Sequence, residues 1–324
     1  MVLSGYSPLP AYAALFVGAF GTPFNIATTL AHSVPLMLTG LGVAIAFRSG
    51  LFNIGAEGQF WAGSIATTWV GYAVGGLPPV LHVTLALLAG AAAGAVWAAL
   101  IPGLLKAYTG AHEVITTMMM TYVAIQLSHF LLEGGPMQAP GYTPVSPDIR
   151  PSAFLPLLVP RTQLSAGLFI ALGAAVIAWL ILERTTLGYR MRAVGFNARA
   201  AAYAGIDVAA TTVLALGLSG AFAGVAGAVE VLGVNHRLYD SFTAGYGFTA
   251  IVVALLAKND PWATLGAALL FGALSTGASY MQLSAGVPSQ LVDVVQGIII
   301  FFIAADAIIA WLLRRSRNRK EVAA

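Results

Sequence analysis

The chain has no cysteine and very little charge: Asp, Glu, Lys and Arg together make up 8% of its 324 residues. Without cysteine there is no disulfide framework, no thiol nucleophile and no thiolate metal site. So little charge excludes an ordinary soluble domain, in which about a quarter of residues are charged. Lysine occurs only at Lys106, Lys258 and Lys320, never directly after a glycine. A G-x-x-x-x-G-K-[ST] phosphate loop is therefore impossible, and the chain carries no P-loop ATPase of its own. No Ser/His/Asp set and no H-E-x-x-H helix is present, which argues against an intramembrane enzyme. His112 and Glu113 stand together in TGAHEVITT, but two residues do not make a metal site. That stretch reads better as a helix entry or a subunit contact. Met1 to Phe20 lack the positive n-region and small-residue cleavage site of a removable signal peptide.

What the chain does have is apolar surface, at 59% hydrophobic residues. A membrane-spanning helix needs about 20 predominantly apolar residues. The expected fold class is therefore all-α, a polytopic transmembrane helical bundle of about 9–10 segments, with residues 1–324 as a single transmembrane domain. Apolar segments are drawn at 26–47, 55–75, 80–105, 114–132, 164–182, 208–232, 244–257, 262–281 and 289–313. The seventh is short and glycine-rich, which fits a tilted, broken or re-entrant segment better than a plain span. The one long loop, 133–163, holds seven of the 16 prolines and suits a semi-rigid surface cover.

Lysine and arginine set the orientation. If Arg48 faces the cytoplasm and sides alternate from there, the inner loops hold Arg48, Lys106, Arg184, Arg190, Arg192, Arg199, Lys258, Arg314, Arg315, Arg317, Arg319 and Lys320. The outer loops hold only Arg150, Arg161 and Arg237. The C terminus and the basic loop 184–207 are then cytoplasmic, and the proline-rich loop is external. Nine segments with an inner C terminus leave the N terminus outside, with nothing ahead of the first segment to carry it across. Either residues 5–20 form an interfacial helix or the reading frame once began upstream with another span, and the second reading is preferred. The net charge of +3 belongs to loops near lipid headgroups and points to no nucleic-acid partner.

Ionisable residues inside spans are costly and default to functional candidates. Glu57, Glu230, Asp293 and Asp306 qualify. Glu57 sits in GLFNIGAEGQF, where Asn53, Glu57 and Gln59 crowd around three glycines. An opened helix start along a solute path and plain capping with interhelical hydrogen bonds both fit. In the last segment Gln290, Asp293 and Gln296 form one polar stripe, which either lines a path or bonds neighbouring helices. Asp306 is read as structural, beside Arg314. Gly90 and Gly94, and Gly220 and Gly224, repeat at four-residue spacing with Ala223 and Gly227 beside them, as close-packing helix faces do.

Four stretches, GLFNIGAEGQF, GAHEVITTMMMTYVA, GYRMRAVGFNARAAAYAGI and GLSGAFAGVAGAVEVLG, resemble the membrane permeases of bacterial ABC importers. The group is the one that handles branched-chain amino acids, ribose-type sugars and nucleosides. The E-G-Q and H-E-V-I segments look most like its nucleoside branch. The resemblance implies an inner-membrane importer with a cytoplasmic ABC ATPase, a second permease chain that is often different, and an external solute-binding lipoprotein of the basic membrane protein family. ATP is then used by the partner, with no cofactor in this chain. NARAAAYAGI resembles the loose E-A-A-x-x-x-G pattern of permease coupling loops, through Ala201, Ala202 and Gly205, although the Glu is missing. Arg190, Arg192 and Asn197 belong to the same docking element, and the turn around Leu256–Trp262 is a second ATPase contact. The implied solute path includes Asn53, Glu57, Gln59, Glu230, Gln290, Asp293 and Gln296. A sugar or branched-chain amino acid remains an alternative cargo. An ion-coupled secondary transporter is a rival of another class, and it leaves the basic loop without a purpose.

Overall fold

In the computed structural model, residues 8–243, 245–292, 294 and 296–298 are described. They are helical, with two isolated β-bridges, Val145–Tyr239 and Leu157–Ser165, in the loops. The elements run α1 (Pro8–Phe20), α2 (Pro23–Arg48), α3 (Ala56–Ala73), α4 (Pro79–Ala98), α5 (Glu113–Leu132), α6 (Gly167–Trp179), α7 (Thr186–Phe196), α8 (Ala198–Tyr203), α9 (Val208–Glu230), α10 (Tyr246–Leu256) and α11 (Pro261–Ala285). Three helices run on through π-turns: α4 to Thr109, α6 to Arg184 and α9 to Asn235. Pro102 lies in the first of these. Its missing N–H and its ring forbid the regular i to i−4 bond, so a wider turn is the local solution.

Six of the nine expected segments form helices long and apolar enough to cross a membrane: Pro23–Arg48, Pro79–Thr109, Glu113–Leu132, Gly167–Arg184, Val208–Asn235 and Pro261–Ala285. The chain is thus a multi-pass membrane protein. The second expected segment is the 18-residue helix α3, and the seventh is the 11-residue helix α10. At 1.5 Å per residue, α10 covers about 16 Å, roughly half of a hydrocarbon core. The ninth segment, with Asp293, Asp306 and Arg314, lies largely outside the described residues.

The chain divides into two compact units, residues 26–273 and the pairing of 1–25 with 274–324. In the smaller unit, α1 lies along the second half of α11. Ala11, Ala278, Met281, Val287 and Val292 are buried together, and a Cβ at Gly277 would press on Leu15 O.

The larger unit is organised on α9, whose last two turns are almost wholly buried. Its Gly220 and Gly224 meet Gly94 and Gly90 of α4 backbone to backbone, and Gly224 also meets Gly63 of α3. A membrane gives helices no hydrophobic reason to associate, so close approach through small residues supplies the contact. The four-residue glycine spacing therefore does what its pattern predicts. Around that seam lies an apolar core that includes Leu38, Phe60, Trp61, Val229, Leu232 and Phe271.

The loop 133–163 forms a bonded cover. Leu155 N–H donates to Leu232 O (2.9 Å), Ile149 N–H to His236 O (2.9 Å) and Ser146 N–H to Leu238 O (2.8 Å). Arg150 N–H reaches Gly71 O, and Phe154 stacks on His236 with ring centroids 3.9 Å apart. Proline restricts the loop, and these bonds attach it to the π-turned end of α9.

Candidate functional site

Glu57 stands where two helix starts meet. It occupies the first turn of α3, and its carboxylate accepts the Gly247 N–H of the first turn of α10 (2.6 Å) and the Thr243 hydroxyl. Gly245, at φ +73°, turns the chain into α10, and a Cβ on Gly247 would collide with the Glu57 backbone. Orphan N–H groups and the positive dipole end of each helix favour an anion here. A charged turn holding Lys258 and Asp260 belongs at a membrane face. From that turn α10 runs back only about 16 Å, and short or broken helices are where transporters place polar contacts.

A second polar group lies at the end of α9. Asn235 Nδ2 donates to Glu230 Oε1 (3.2 Å), and the Tyr239 hydroxyl donates to Asn235 Oδ1 (3.2 Å). Burial and the nearby Glu230 charge raise the Tyr239 phenol above its ordinary pKa, with Arg237 opposing them. Tyr246 connects the two groups. Its hydroxyl is 3.1 Å from His32 Nδ1, and it lies within electrostatic range of Glu230, Tyr239 and Glu57. Rings surround the whole: Phe60–Phe242 at 5.9 Å, Trp61–Phe242 at 4.8 Å edge-on, Tyr239–Phe242 at 5.9 Å and Phe60–Tyr246 at 6.1 Å. Two carboxylates, a histidine, two phenols and a ring of aromatic faces therefore share one buried region.

The predicted path residues do not all join it. Asn53 and Gln59 bond each other twice, Asn53 Nδ2 to Gln59 Oε1 (2.9 Å) and Gln59 Nε2 to Asn53 Oδ1 (3.1 Å). Asn53 Nδ2 also donates to Ser219 Oγ (2.8 Å), and its Oδ1 accepts the Gly55 N–H (2.9 Å). With both donors and both lone pairs of its amide engaged, Asn53 acts here as a brace between the α3 start and α9. Glu57 and Glu230 do join the polar region. Gln290 is exposed and Gln296 half-buried, and Asp293 lies outside the described residues. Sequence reading missed His32, Asn235, Tyr239, Phe242 and Tyr246. Intramembrane histidine and tyrosine were the signal available, because each needs a partner away from water.

The basic loop folds into two short helices. Thr185 caps α7 by accepting the Gly188 N–H, and Asn197 caps α8 by accepting the N–H groups of Arg199 (3.0 Å) and Ala200 (3.1 Å). Gly205, at φ +81°, closes α8, with Ile206 N–H returning to Ala201 O (3.0 Å). This is the left-handed helix stop that glycine favours. Ala201 is buried, whereas Arg190, Asn197, Ala202 and Gly205 are exposed. Arg192 is half-buried and pairs with Glu183 at 3.3 Å. Phe196 and Tyr203 are about as exposed as side chains can be, at 90% and 94%. Sequence reading did not single out these two rings, and they give the surface its apolar contact area. At the neighbouring loop, Lys106 pairs with Glu113 across 2.8 Å, so GAHEVI serves as the α5 entry. No group of three or more His, Cys, Asp or Glu suited to a metal ion occurs among the described residues.

Comparison with known proteins identifies the family. Residues 25–304 match the family model described as "Branched-chain amino acid transport system / permease component". The chain is 41% identical to the guanosine ABC transporter permease protein NupP of Bacillus subtilis, over 98% of this chain and 92% of the relative. It is 37% identical to the nucleoside ABC transporter permease protein NupB of Lactococcus lactis, over 99% and 90%. A glucose ABC transporter permease protein of Haloferax volcanii, TsgB13, is also 37% identical, over 94% and 82%. No solved structure matches.

Proposed function

Because the chain belongs to the branched-chain amino acid transport system permease family, and so is the membrane-spanning subunit of an ABC importer rather than an enzyme, we propose that it imports nucleosides. The observation that carries the cargo is its likeness, over nearly the full length of both chains, to a guanosine permease and a nucleoside permease. The chemistry of the buried region supports it. A nucleoside is uncharged, with ribose hydroxyls, a base edge and a π-face. Glu57, Glu230, His32, Tyr239 and Tyr246 supply hydrogen-bond partners, and Phe60 and Phe242 supply rings for stacking. A base on an aromatic face gains about 1–3 kcal/mol. Asn53 and Gln59 brace that path from behind. Gln290, Asp293 and Gln296 are proposed as further solute contacts.

The whole chain acts as one permease domain that alternates between inward and outward access. A cytoplasmic ABC ATPase docks on α7 and α8, on the side where basic residues collect, using Arg190, Arg192, Asn197, Ala202 and Gly205, with Ala201 holding α8 down. ATP is bound and hydrolysed by that partner. A second permease chain completes the pathway, and an external solute-binding lipoprotein presents cargo to the 133–163 cover. The setting is a bacterial inner membrane with the C terminus in the cytoplasm, and with lipid rather than nucleic acid as the other contact.

A second reading, glucose, rests on the Haloferax relative. Uptake of labelled guanosine, uridine, glucose and leucine by cells with and without the gene separates them. Loss of guanosine or uridine uptake alone is expected. Loss of glucose or leucine uptake instead reassigns the cargo, and unchanged uptake of all four refutes the proposal.

A further inference from the structure

Glu183 lies in the π-turn after α6, next to its last residue Arg184, and its two carboxylate oxygens serve two arginines from distant parts of the chain. Oε1 lies 3.3 Å from Arg48 at the end of α2, and Oε2 lies 3.3 Å from Arg192 in α7. Arg48 is engaged a second time, donating from Nε to the backbone carbonyl of Asn259 (3.1 Å). Asn259 belongs to the tight turn between α10 and α11, where Lys258 and Asn259 both adopt positive φ, at +51° and +60°. Beside this hub, α7 touches the end of α2 directly. A Cβ on Gly195 would lie 2.6 Å from Arg48 O and 2.9 Å from Gly50 N. One carboxylate therefore joins the basic loop to the first long helix, and Arg48 carries the tie on to the α10–α11 turn.

Partly exposed ion pairs add little to stability. The value of this one is geometric: it joins three segments that the chain itself connects only through long detours. We propose that Glu183 is the positioning residue that makes the α7–α8 surface, the end of α2 and the α10–α11 turn move as one body. A push received on α8 then reaches α2 and α10 together, and α10 is the half-length helix whose start holds Glu57. The inference rests on α7–α8 being the ATPase surface.

The absence of cysteine makes the test direct. Spin labels are placed on Tyr189→Cys of α7 and Ala263→Cys of α11, both exposed positions, in the full-length chain assembled with its ATPase and permease partners. With Glu183 present, one narrow distance is expected, the same in nucleotide-free and ATP-trapped complexes. With Glu183→Gln, which keeps the size but removes the charge, the distribution should broaden and shift with nucleotide. Equal widths in the two chains overturn the proposal. In the same complexes, guanosine moved per ATP hydrolysed should fall about tenfold with Glu183→Gln, within the 5–150-fold span of ordinary coupling energies. The KM for guanosine and the yield of co-purified ATPase should stay constant. Unchanged transport, or loss of the ATPase from the complex, would show that Glu183 is an ordinary structural pair. A parent chain that moves no guanosine but shows the expected label distances refutes the nucleoside cargo and upholds the hub.

Discussion

Replacing Gly220 by alanine tests the α4–α9 seam. The new Cβ would fall on Gly94 O and 2.6 Å from the Ala98 Cβ. Neither obstacle is a side chain that can swing aside, so the two helix backbones must move apart. Overpacking of this kind costs about 1–3 kcal/mol. Alanine also gains about 1 kcal/mol of helix propensity over glycine, which masks part of the loss. Gly173→Ala in α6 supplies the correction. That glycine is exposed, with nothing within 4 Å of the Cβ position, so only the propensity gain operates there. The difference between the two variants isolates the overpacking term of about 1–3 kcal/mol. Thermal unfolding of the detergent-solubilised chains, followed by circular dichroism, should place Gly220→Ala clearly below Gly173→Ala, with the parent between them or, where the overpacking is smallest, level with Gly220→Ala. Equal midpoints for the two variants would refute the claim that the seam is a rigid backbone contact.

Three further outcomes follow from the same structure. Glu57→Gln keeps the side-chain volume but weakens an acceptor shared by Gly247 N–H and the Thr243 hydroxyl; hydrogen bonds to a charged group contribute about 1.5–3 kcal/mol, and initial-rate uptake of guanosine should drop at least tenfold with expression intact. Asn197→Ala removes two capping bonds from α8 at a cost of about 1 kcal/mol, and should reduce ATPase co-purification; an undiminished yield would move the docking surface elsewhere. His236 is held below its ordinary pKa by burial, against the opposing charge of Asp148, so the unfolded chain binds the proton more readily and stability rises with pH through this group. Its contribution is complete above the unfolded pKa of about 6.5 and is lost as pH falls toward the folded value. Melting midpoints should decline from pH 7.5 to pH 5.5, and a His236→Gln chain should show a shallower decline.

The sequence reveals what repeats and hides what pairs at a distance. Periodic small residues placed Gly90, Gly94, Gly220 and Gly224 on packing faces, because four-residue spacing is a local property of one helix. Apolar run length drew nine segments, six of which form membrane-length helices among the described residues, and marked residues 244–257 as short for a plain crossing. Asn53 and Gln59 show the limit of such reading. Six residues apart, they present two polar side chains, but whether these face a solute or each other depends on Ser219, 166 residues away. Glu57 and Glu230 stood out by charge alone. The histidine and tyrosines that join them did not, since His32 and Tyr246 lie 214 residues apart and each looks ordinary in its own helix. Likewise the basic loop was visible as charge, whereas the inward turn of Arg192 required Glu183 to be seen opposite it.

The proline-rich cover hangs from an unusual place. Its Leu155 and Ile149 amides are bonded to Leu232 and His236, at and just beyond the π-turn in which α9 carries one residue more per turn than a regular helix. Drawing that surplus residue back into an α-helical register rotates everything beyond it by about 100°. Tyr239 and Phe242 lie on that downstream segment, while Glu230 lies upstream of it. A tug on the cover is thus a winding motion at the far end of α9, and it redraws which side chains face Glu230 without any helix having to slide.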